Sequence, residues 1–124
     1  MYGIGLKKKF KAQHFLDFAE GEESDTHTHE YVVELEITRK DLEDENYVVD
    51  LVDLERYLGE IIGYYEGKLL NELPEFDDNP TIEVFAESIY KELEERIDDE
   101  MHSMKVKVWE ADEDAYALYT EEGT

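Results

Sequence analysis

The sequence predicts an α+β fold, a four-stranded antiparallel sheet with two helices packed on one face. Three observations carry this expectation. Apolar residues alternate with period two near both ends of the chain. Two central segments carry apolar residues at helical spacing. The order is strand, strand, helix, helix, strand, strand. Two hairpins flanking two helices place both helices against one side of a single sheet.

The first strand is expected over residues 2–16. Tyr2, Ile4, Leu6, Phe10, Ala12 and His14 share one face, with Lys8 as the exception, and Gly3, Gly5, Lys7, Lys9, Lys11 and Gln13 share the other. Such alternation marks a half-buried strand. Residues 17–26 are polar, contain Gly21 and read as a loop. Alternation resumes over 27–38: His27, His29, Tyr31, Val33, Leu35 and Ile37 point one way, and Glu30, Val32, Glu34, Glu36 and Thr38 the other. A helix is expected from Asp50, whose carboxylate can cap it, with Asp53 suiting the positive end of the helix dipole. Leu51, Leu54, Leu58, Ile61, Ile62 and Tyr65 form its apolar stripe, and Gly67 ends it. The second helix is expected after Asn79-Pro80-Thr81, with Asn79 as cap and Pro80 in the first helical position. Its stripe is Ile82, Phe85, Ala86, Ile89, Leu93 and Ile97. Strands over 104–111 and 114–120 close the chain, the former with Met104, Val106, Val108 and Glu110 on one face.

The 124 residues suit one domain spanning 1–124, and 41% hydrophobic residues, with nine Tyr, five Phe and one Trp, suffice for a core. There is no Cys, which removes disulfides, thiolate metal ligands and a cysteine nucleophile together. A formal net charge of −23, from 35 acidic and 12 basic residues, argues against a nucleic-acid partner. No apolar run is long enough to cross a bilayer and no signal pattern opens the chain, so the expected compartment is the cytoplasm.

The histidines carry the sharpest chemical signal. Residues two apart on a strand point the same way, so His27 and His29 aim their rings together. His14 falls on the apolar face of the preceding strand. If the two strands pair as a hairpin, all three imidazoles converge, and three imidazoles with an open fourth position suit catalytic Zn2+. His102, between helix and strand, reads as a hydrogen-bonded or surface residue. Glu110 ends an inward-facing run, and a carboxylate there must accept hydrogen bonds or pair with a charge. It reads either as an acceptor for a ligand's N–H groups or as a strand-end residue turned to water. On the opposite face, Lys7, Lys9, Lys11, Lys105 and Lys107 stand with Glu30, Glu34 and Glu36, which predicts cross-strand ion pairs.

Several blocks in order resemble the 6-pyruvoyl tetrahydropterin synthase and 6-carboxytetrahydropterin synthase family. FKAQHF resembles its Phe-x-Ala-x-His strand and HTHEY its His-Gly-His-x-Tyr stretch. VVDLVDL, LLNEL, NPTIE and VWEADEDAYALY resemble the blocks that open the helices and form the closing hairpin. The resemblance implies the tunnelling fold, a homo-oligomer (trimer or hexamer) with active sites at subunit boundaries, and 7,8-dihydroneopterin triphosphate as substrate. It implies His14, His27 and His29 as zinc ligands, with Glu110 and Thr81 meeting the pterin. Two positions depart from the family pattern. Its catalytic Cys is absent, and Glu66-Gly67 stands where an Asp-His pair precedes Lys-x-Leu-Asn. Acid/base duty would then fall to Glu22, Glu23 or Glu66. The alternative is a family member that binds a pterin-like ligand without standard turnover.

Overall fold

In the computed structural model, residues 1–14, 27–42, 46, 48–97, 103–110 and 114–121 are described. The expected loop over 17–26, with Glu22 and Glu23, and His102 lie outside the described residues. Four strands form one antiparallel sheet in the order β1-β2-β3-β4: β1 Tyr2–His14, β2 His27–Arg39, β3 Ser103–Glu110 and β4 Tyr116–Thr120. Two α-helices, α1 Leu51–Tyr65 and α2 Ile82–Arg96, separate the hairpins. Two short 3-10 turns, Leu70–Glu72 and Pro74–Phe76, which periodicity did not reveal, join the helices.

Alternation puts Tyr31, Val33, Leu35 and Ile37 of β2, with Met104, Val106 and Val108 of β3, on the face covered by both helices, and all are buried. The other face carries the expected charge ladder. Register sets Glu34 between Lys7 of β1 and Lys107 of β3, with N–O separations of 3.6 and 3.8 Å. Lys7 also lies over the Trp109 ring and Lys107 over Tyr116. One carboxylate shared by two half-solvated ammonium groups contributes little to stability, and its value lies in specifying register. Lys8, at an inward position opposite Val33, is nevertheless exposed. It sits on the sheet's edge strand, where a long stem can carry its charge past the core.

Helix α1 buries Leu54, Leu58, Ile61, Ile62 and Tyr65, whereas Leu51, expected in that stripe, is 41% exposed in the first turn. Asp50 caps the helix as expected, its carboxylate accepting from the Val52 N–H at 2.9 Å. Asp50→Ala should therefore cost about 1 kcal/mol in a denaturant titration, the usual value of such a cap. At the other end Gly67 adopts φ +76°, the left-handed conformation that favours glycine. Its N–H donates to the Lys11 carbonyl at 2.8 Å, and the Gln13 N–H donates to the Lys68 carbonyl at 2.9 Å. The segment after α1 is thus stitched in parallel along the outer edge of β1, just before His14.

The start of α2 differs from expectation. Asn79 is not its cap and Pro80 is not its first residue. Thr81 is the N-cap, its hydroxyl accepting from the Val84 N–H at 3.3 Å, and the helix begins at Ile82. Asn79 and Thr81 are both good caps, and the stripe Phe85, Ala86, Ile89, Tyr90 and Leu93 is compatible with either start. The buried position of Pro80 goes with the later one. An aromatic cluster centred on Phe85 joins the layers. Its ring meets Phe10, Tyr31, Tyr65 and Phe76 edge-on, at centroid distances of 5.6, 5.2, 4.9 and 5.2 Å.

Candidate metal centre

The centre lies at one end of the sheet, where β1 and β3 finish and β2 begins. The register pairs Ala12 with His29, His14 with His27, and Tyr31 with Glu110. His14 and His29 are diagonal neighbours across the first hairpin, and their rings lie 4.6 Å apart between centroids. Glu110 approaches from the third strand, its Oε2 3.7 Å from His29 Nδ1. His14 is 1% exposed, whereas the side chains of His29 and Glu110 keep 25% and 22% of their surface. The cluster therefore has a buried floor and an accessible rim.

Ligand atoms of His14, His29 and Glu110 all lie within 4.8 Å of one another. Zinc bonds of about 2.0–2.2 Å to nitrogen and oxygen can be reached from that span by small side-chain torsions. Two imidazoles and a carboxylate, without sulfur, form a donor set suited to zinc and other divalent cations that accept nitrogen. The residues present thus fit a metal ion.

The His14 ring is held from below. Its Nδ1 is hydrogen-bonded to the hydroxyl of Tyr31, which is fully buried. Tyr31 is in turn stacked on Phe10, at 5.6 Å and 26° between ring planes. Sequence reasoning placed Tyr31 on the histidine face but gave it no role. Its position two residues beyond His29, with a hydroxyl aimed into the core, was the available signal.

The sequence-predicted residues are thus distributed unevenly. His14, His29 and Glu110 come together. The backbone of His27 lies directly opposite His14, and its side chain is outside those described. Glu66 is exposed at the C-cap of α1, and Thr81 uses its hydroxyl to cap α2, so neither belongs to the cluster among the described residues. Glu110 was expected either as an acceptor for a ligand's N–H groups or as a strand-end residue turned to water. Its distance to His29 makes it a member of the metal-capable group itself.

A small antiparallel α+β sheet that gathers imidazoles and a carboxylate at the ends of its strands defines a class of proteins able to bind a divalent cation there. The family model of 6-pyruvoyl tetrahydropterin synthase matches residues 3–122, nearly the whole chain. A protein of Archaeoglobus fulgidus, provisionally assigned as a 6-carboxy-5,6,7,8-tetrahydropterin synthase, is 32% identical over 93 residues, covering 75% of this chain and 76% of its own. The chain belongs to the 6-pyruvoyl tetrahydropterin synthase family.

Solved structures show the same fold. The 6-pyruvoyl tetrahydropterin synthase of Caenorhabditis elegans superposes with a TM-score of 0.78 at 18% identity, over 99% of this chain and 96% of that one. The Plasmodium falciparum synthase gives 0.76 at 16% identity, over 98% of each chain. The Plasmodium vivax synthase, solved as a variant in which a catalytic glutamate is replaced by alanine, gives 0.77 at 16% identity, again over 98% of each. Among the described residues, no helix is long and apolar enough to cross a membrane.

Proposed function

We propose that this chain is a zinc-dependent enzyme acting on a reduced pterin such as 7,8-dihydroneopterin triphosphate, with His14, His27 and His29 as the zinc ligands. The observation that carries this reading is the convergence of His14, His29 and Glu110 at one accessible end of the sheet, in a chain of this family. Bound zinc would polarise the substrate's side-chain hydroxyls and stabilise enolate-like charge. Glu110, at the rim, would accept N–H groups of the pterin ring and hold its side chain over the metal. A carboxylate in place of the absent Cys and His would move the protons as triphosphate leaves, and Glu22, Glu23 and Glu66 are the candidates. That the Plasmodium vivax relative has a catalytic glutamate supports such a substitution. Glu66 is exposed in the single chain, and a neighbouring subunit packed against the end of α1 would supply the burial that tunes a carboxylate for this work. We take the working form to be a cytoplasmic homo-oligomer. The sheet order leaves β4 and the part of β1 before Lys11 as edges, and pairing between copies would satisfy their outer backbone groups.

Zinc-loaded protein incubated with 7,8-dihydroneopterin triphosphate should release triphosphate. Unchanged substrate, beside a working synthase as control, would remove the catalytic reading. Glu110→Ala should keep its zinc and lose pterin binding by at least about tenfold, because its charged hydrogen bonds are worth about 1.5–3 kcal/mol. Loss of zinc from that variant would instead make Glu110 a metal ligand.

A second reading, pterin binding without turnover, has its own support at Gly67. A His at this position would have to adopt φ +76°, a conformation that costs an L residue about 1–2 kcal/mol. The backbone here is therefore shaped for glycine and not for a catalytic His. Under this reading a reduced pterin binds in a Glu110-dependent way and is recovered chemically unchanged.

A further inference from the structure

We propose that Tyr31 is the positioning residue of the metal centre: its hydroxyl accepts the Nδ1–H of His14 and thereby fixes the tautomer and ring orientation that present Nε2 to zinc. This rests on the metal-binding reading above and adds to it the group that decides which nitrogen of His14 serves.

A neutral imidazole carries one N–H and one bare nitrogen, and the two tautomers interconvert freely in water. A metal needs the bare nitrogen, so whatever holds the other one selects the ligand atom. Here Nδ1 is engaged by Tyr31, which makes Nε2 the nitrogen that would serve a metal. The tyrosine cannot easily follow a wandering ring. Its own ring is fully buried, stacked on Phe10 and met edge-on by Phe85 at 5.2 Å. Its backbone is locked between Phe10 of β1 and Glu110 of β3. The rings of His14 and His29 stand at equal centroid distances from it, 6.1 Å each, so Tyr31 is in reach of both. Metal-bound histidines usually give their second N–H to a carboxylate, a backbone carbonyl or water, and a phenol oxygen takes that place here.

The test measures Zn2+ affinity by competition with a chromophoric chelator, and the visible absorption of the Co2+-loaded protein, in wild type, Tyr31→Phe and Tyr90→Phe. Tyr90→Phe also removes a buried tyrosine hydroxyl, but beside Tyr119 of β4, away from the centre. Tyr31→Phe should bind Zn2+ about 10–100-fold more weakly and shift the Co2+ bands, whereas Tyr90→Phe should match wild type in both. Equal affinity and an unchanged Co2+ spectrum in Tyr31→Phe, with wild type binding tightly, would overturn the proposal and leave the metal reading standing. A wild type that binds neither ion would remove both. Should Tyr31→Phe fold poorly, long-range 1H–15N spectra of the zinc-loaded wild type decide the matter. His14 should show a protonated Nδ1 and a coordinated Nε2, and the reverse pattern would overturn the proposal.

Discussion

His29→Ala should abolish stoichiometric zinc, lowering affinity by more than about 100-fold, while leaving the fold intact. The two parts of this expectation have separate causes. Losing a direct ligand should exceed the 10–100-fold effect typical of an outer partner. The fold should survive because the His29 side chain is one-quarter exposed at the sheet end, outside the hydrophobic core. His14→Ala should behave differently. It also removes the buried hydrogen bond to the Tyr31 hydroxyl, so it should lose zinc and about 0.5–1.5 kcal/mol of stability together. Elemental analysis of protein purified without chelators, combined with melting curves, separates the two variants. Zinc at 100 times its dissociation constant should stabilise wild type by about 2.7 kcal/mol, and that increment should vanish in His29→Ala. Wild-type metal content in His29→Ala would place the metal elsewhere.

Phe85→Ala should be the most damaging single core substitution, costing about 3–5 kcal/mol. A domain of this size has only about 5–15 kcal/mol in total. Phe85 is fully buried and touches rings from four elements: Phe10 of β1, Tyr31 of β2, Tyr65 of α1 and Phe76 of the second 3-10 turn. Truncation removes four edge-to-face contacts at once and leaves a void that rigid neighbours cannot fill. Phe85→Leu, which keeps most of the volume, should cost clearly less. Urea titration reads the difference as a shift in midpoint at constant slope. A loss below about 1 kcal/mol for Phe85→Ala would mean that the cluster repacks and is not a rigid joint between the layers. Because Tyr31 leans on Phe85, the alanine variant should also loosen zinc binding.

Local pattern made much of this protein legible in advance. The faces of β1, β2 and β3 follow from the period of two that strand geometry imposes, and Tyr31, Val33, Leu35 and Ile37 are buried where alternation placed them. Asp50 and Gly67 act as the helix start and stop signals that their chemistry suggests. These readings succeeded because each depends on a few neighbouring residues and on backbone geometry shared by all proteins. Patterns that two local solutions satisfy equally were not legible. Asn79 and Thr81 compete for one cap, and the later start at Thr81 goes with the burial of Pro80. Leu51 fits the α1 stripe by spacing, yet the buried face of the helix begins at Leu54 and does not reach its first residue.

By itself, then, the sequence determined the order and faces of the elements, the absence of thiol chemistry and the family to which the histidine blocks point. Only the tertiary structure decided that His14 meets His29 diagonally, that Glu110 arrives from a third strand within reach of His29, and that Tyr31 takes hold of His14 Nδ1. The physical reason is one of range. Periodicity reports which way a side chain points relative to its own backbone. Contact between side chains on separate strands depends on a register and twist set by the packing of the whole sheet against its helices.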